Sequence, residues 1–84
     1  MATIQQVAAE IAAQSFHEVT TEPAAYGIKR PWVSVQEWID FELNGDGPEE
    51  LMRRFGISFR DAARELAGAM MATATLEDLN ANLQ

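Results

Sequence analysis

Five times along the chain a Ser, Thr or Asp stands just before a run whose apolar residues recur every three or four positions: Thr3, Ser34, Asp46, Ser58 and Thr75. A short hydroxyl or carboxylate side chain placed there accepts a backbone N–H that the first helical turn leaves unpaired. The three-to-four spacing then gathers the apolar residues on one helical face. Gly and Pro cut the runs apart, and no segment alternates with the period of two that a strand requires. Asn44-Gly45-Asp46-Gly47 has hairpin-turn chemistry, but its flanks lack that alternation. The pattern predicts an all-α protein, a compact bundle of four or five short helices.

The first helix is predicted over residues 3–19, with Ile4, Val7, Ile11 and Phe16 in its stripe and Ala8, Ala12 and Ser15 between them. Alanines at 8, 9, 12 and 13 favour helix and leave a smooth face for close approach of another. Residues 20–33 lose the period, with Pro23, Gly27 and Pro31 as punctuation, and are expected to be an irregular connection. The rest, 34–84, reads as a helical core, and the whole chain as one small domain. Ser34 and Glu37 have the spacing of a reciprocal capping box, and Val33 and Trp38 that of a hydrophobic staple. Val35, Trp38 and Ile39 then face inward, with Gln36, Asp40 and Glu42 toward water. Asp46 is expected to cap a two-turn helix carrying Leu51, Met52 and Phe55, which Gly56 ends. Ser58 opens a helix with Ala62, Leu66, Ala69 and Met70 in line, and Thr75 a last one with Leu76, Leu79 and Leu83.

Charge narrows the function. Thirteen acids against six bases give a net charge of −7, which excludes a uniformly basic nucleic-acid binder and a polybasic membrane-surface protein. With no cysteine, neither disulfides nor thiolate metal sites supplement the core. The start lacks a signal-peptide pattern, no run of about 18 apolar residues offers a membrane span, and lipid-anchor motifs are missing, so a cytoplasmic protein without membrane contact is expected. His17 has no accompanying nucleophile and orienting group. A calcium loop counted from Asn44 would place Phe55 where a bidentate Glu is needed. No enzyme, metal or cofactor is expected.

Residues 48–67 carry the most information. Two short helices flank Gly56-Ile57-Ser58: Gly allows a sharp turn, Ile57 plugs the corner, and Ser58 caps the second helix. Such a corner suits a helix-turn-helix, whose second helix enters the major groove by its N-terminal half. Residues 1–47 hold Lys29 and Arg30 against seven acids, whereas all four remaining arginines fall within 48–67. Arg53 and Arg54 are candidates for phosphate contacts, Ser58, Phe59, Arg60 and Arg64 for the reading face, with Arg60 or Arg64 able to address a guanine edge. Met52 stands where such motifs need a small residue, and Glu65 where an inward apolar one is common. A hairpin that only builds core has the same corner chemistry.

Gly27-Ile28-Lys29-Arg30-Pro31, the helix with Val35 and Trp38-Ile39, Asn44-Gly45-Asp46-Gly47-Pro48-Glu49-Glu50-Leu51, Phe55, Ile57-Ser58-Phe59-Arg60-Asp61-Ala62 and Leu66-Ala67 follow in order. Over about 27–72 this resembles the short bacterial antitoxin-type family with a homeodomain-like helix-turn-helix. Its members share a Gly-Thr-Arg opening, a turn followed by Pro-Glu-Glu-Ile and a Leu-Thr-x-x-Asp-Ile helix start. The resemblance implies a compact trihelical DNA-binding fold, often dimeric and sometimes paired with a toxin, with Ser58, Arg60 and Asp61 in the matching functional region.

Two functions follow as expectations. One is a small DNA-binding regulator acting as a homo-oligomer, most simply a homodimer. The other is an acidic protein-interaction module, antitoxin-like or a phage-type inhibitor, masking the basic surface of a protein partner. Trp32, Glu37, Asp40 and Glu42 are its candidate contacts, with Trp32 serving either as core anchor or as interface anchor.

Overall fold

The structure, a computed structural model, describes residues 1–81 and 83. Its helices are α1 (Ile4–Thr21), α2 (Val35–Leu43), α3 (Gly47–Phe55), α4 (Phe59–Thr73) and α5 (Leu76–Asn80), with a 3₁₀ turn at Pro23–Tyr26 between α1 and α2. No strand occurs among the described residues, so the all-α expectation holds. The single-domain expectation also spans Asn82 and Gln84, which lie outside the described residues.

Four of the five expected caps form. Thr3, Ser34, Ser58 and Thr75 each accept the backbone N–H three residues on, and Gln6 and Asp78 close complete capping boxes at Thr3 and Thr75. Asp46 makes no capping bond, because it already has helical backbone angles (φ −87°, ψ −9°) and its side chain does not turn back to the first turn. The Ser34 box is half formed. Ser34 accepts from the Glu37 N–H, but the Glu37 carboxylate takes the Val33 N–H at 3.1 Å and the Arg30 guanidinium at 2.6 Å. The Val33–Trp38 staple gives way to another arrangement. Val33 is 71% exposed, and Trp32, one residue earlier, enters the core instead.

α4 is the central element. α1 lies along it, α3 packs on it after the Gly56 turn, and α2 touches both α3 and α4. Of the predicted alanine face, Ala8 and Ala12 are buried in the core with Ala62, Leu66 and Met70, whereas Ala9 and Ala13 are exposed. Leu51, Trp38, Ile39 and Leu79 complete the core. Gly47 has a packing role that turn chemistry alone does not reveal. A Cβ there would lie 2.8 Å from Leu66 Cδ2 and 3.3 Å from Ile11 Cγ2, so its missing side chain lets the start of α3 approach both α4 and α1. The connection is more structured than expected, since α1 runs on to Thr21 and the 3₁₀ turn follows. Its far end is clasped from α5: the Trp32 N–H donates to Asn80 Oδ1 at 2.7 Å, and Asn80 Nδ2 donates to the Trp32 carbonyl at 2.9 Å.

Candidate functional site

The α3–α4 corner positions the predicted DNA-reading residues. Gly56 takes the left-handed conformation (φ +63°) that ends α3 and turns the chain. Leu51 is buried, and Phe55 and Ile57 pack partly buried against the core. Ser58 Oγ accepts from the Asp61 N–H at 3.2 Å and so starts α4; its hydroxyl is engaged in the cap. With Ala62 and Leu66 turned inward, Phe59, Arg60, Asp61 and Arg64 project into solvent. Phe59 is 52% exposed, a large apolar surface for a helix start. Met52 and Glu65, the two departures from helix-turn-helix pattern, are both half-buried.

The four arginines divide into two pairs. Arg53 and Arg54 at the end of α3 both reach back to Glu50, across the i,i+3 and i,i+4 spacings of one helical turn. Arg60 and Arg64, a helical turn apart, pair with no carboxylate among the described residues. Exposed ion pairs such as those with Glu50 exchange readily for other partners, their net worth being about 0–1 kcal/mol.

The residues of the acidic alternative separate. Trp32, Glu37 and Asp40 line one groove, beside the connection, together with Tyr26 and Phe41. Glu42 departs from the expectation that it faces water. It is half-buried on the other side of α2, accepting from Ser15 Oγ at 2.9 Å, while Ser15 accepts the Trp38 indole N–H at 3.0 Å. Burial pushes the Glu42 carboxyl above its ordinary value; the Ser15 bond opposes this, and the nearby negative charges of Glu18 and Asp46 add to it. The Glu37 carboxyl is held below the usual range by Arg30 and by the Val33 N–H. Glu42 lines a second groove with Glu10, Glu18, Asp46, Glu50 and Arg54. Sequence reasoning missed Ser15 and Asn80 as polar anchors, since their partners lie 23, 27 and 48 residues away.

His17 is exposed on α1. No group of three or more His, Asp or Glu side chains able to hold a metal occurs among the described residues, and no helix there is long and apolar enough to cross a membrane. No family model, curated protein or solved structure matches the chain.

Proposed function

We propose that the protein is a small, non-catalytic DNA-binding regulator that reads duplex DNA with the N-terminal half of α4, most simply as a homodimer. The observation that carries the reading is the pair Arg60 and Arg64, unpaired among the described residues and one turn apart on the exposed face beside Phe59. Arginines in that position address guanine edges, and an apolar ring beside them suits a thymine methyl. Arg53 and Arg54, released from Glu50, supply phosphate contacts. The antitoxin-type resemblance over 27–72 points the same way.

The test is a gel shift with DNA fragments of mixed sequence at about 50 and 200 mM salt. The two phosphate-neutralising arginines, Arg53 and Arg54, predict about a tenfold loss of affinity between these conditions for one protomer, and about a hundredfold for a dimer. Arg60→Ala with Arg64→Ala abolishes the shift while leaving the helical circular dichroism unchanged. Absence of any shift at the lower salt removes the reading.

One observation favours the acidic interaction module. The groove between α1, α2 and α3 gathers Glu10, Glu18, Glu42, Asp46 and Glu50, a surface complementary to a basic partner. For that function the double arginine change is silent, and reversing Glu10 and Glu18 to lysine abolishes capture of the partner.

A further inference from the structure

The groove between the connection and α2 is about 450 Å³, within the range of small-ligand sites. Aromatic side chains wall it: Tyr26, Trp32 and Phe41, with the Trp32 and Phe41 rings edge to face at 5.9 Å. Its polar groups differ in what they already hold. Glu37 accepts from Arg30 and from the Val33 N–H, and Asp40 accepts from Gln36 at 2.8 Å. Tyr26 donates its hydroxyl to Glu18 at 2.9 Å. Two donors remain uncommitted. Trp32 is only 7% exposed, yet its buried indole N–H has no acceptor among the described residues, and the exposed Lys29 ammonium pairs with no carboxylate there. A buried donor without an acceptor is a standing cost to the fold, and native proteins rarely keep one. The Glu37 carboxylate is taken up by Arg30 and the Val33 N–H, while Asp40 keeps Oδ2 free beside the groove. An anion would find a free ammonium and a free N–H.

We propose that this groove binds a small aromatic monocarboxylate, its ring lying among Tyr26, Trp32 and Phe41, and its carboxylate accepting from Lys29 and the Trp32 indole. This site is separate from the face of α4.

The two indole N–H resonances provide the test. Titrating the full chain with 3-phenylpropionate, followed by proton–nitrogen correlation spectra, moves the Trp32 indole proton downfield with a Kd of about millimolar order, as expected for so small a ligand. The Trp38 indole, already donating to Ser15, stays in place. Lys29→Gln, at an exposed position, weakens binding by about tenfold, the loss of one charge-assisted hydrogen bond. An unmoved Trp32 resonance at about ten times that concentration overturns the proposal. Equal binding of 3-phenylpropanamide also overturns it, and tighter binding of phenethylamine identifies a cation site instead.

Discussion

Two regions packed on the core are held by different balances of force. In one, α1 lies against α4 through Ala8, Ala12 and Ala62, with Leu66 and Met70 filling between them. In the other, the connection and α2 add directed bonds to their buried Trp32, Trp38 and Ile39: Asn80 of α5 to both backbone groups of Trp32, and Trp38 through Ser15 of α1 to Glu42. The first region is limited by volume, because alanine contacts leave no room and no slack. The second is limited by pairing, because each polar group taken from water must keep its partner. An 84-residue chain without cysteine has a small core, and the polar clasps supplement the burial of Trp32 and Trp38.

The sharpest way to break this contrast is Leu66→Ala. Leu66 is fully buried and also fills the space beside Gly47, so its truncation destabilises by about 2–5 kcal/mol. Urea unfolding reads the effect directly, and a loss near zero would mean that the seam is not closely packed. Asn80→Ala addresses the other region. It strands the Trp32 N–H and carbonyl together, lowering stability by about 1–3 kcal/mol; each kcal/mol corresponds to about 4–8 °C in Tm for a domain of this size. Asn80→Asp, which keeps the acceptor and loses the donor, falls between the two proteins.

The smallest effect is a slope rather than a loss. Burial raises the Glu42 carboxyl in the folded state, so the folded protein binds a proton where the unfolded chain has already released it. Stability therefore falls as pH rises from the ordinary carboxylate value through the raised folded one. Glu42→Gln keeps an acceptor for Ser15 and removes the charge. The variant loses that descending slope in thermal melts followed upward from the ordinary carboxylate range. Identical slopes in the two proteins would place the titration elsewhere.

What was legible in the sequence was local. Thr3, Ser34, Ser58 and Thr75 act over three residues, and each caps as its spacing predicts. Gly56 turns the chain where the apolar stripe stops. Local spacing misled where a stronger partner intervened. Glu37 has capping-box spacing, yet Arg30 and the Val33 N–H take its carboxylate. Glu42 sits on the polar side of its helix by periodicity, yet a serine 27 residues away draws it inward. The arginines of 48–67 could be counted from the sequence, but not their division into Glu50-paired and unpaired sets. The Glu50 pairs have the i,i+3 and i,i+4 spacing visible in the sequence, but Asp61 and Arg64 share that spacing and do not pair, so spacing alone does not select which pairs form.

The Asn80 clasp has a consequence in time. It joins positions 48 residues apart. At a synthesis rate of about 5–20 residues per second, residue 80 is made about 2–10 seconds after residue 32. Throughout that interval α1 has been made, and α2 from residue 43 onward, but the side chain that holds Trp32 in place does not yet exist. A nascent chain therefore carries an unanchored tryptophan for longer than most small helical domains need to fold. The clasp on the connection cannot close until α5 has been made.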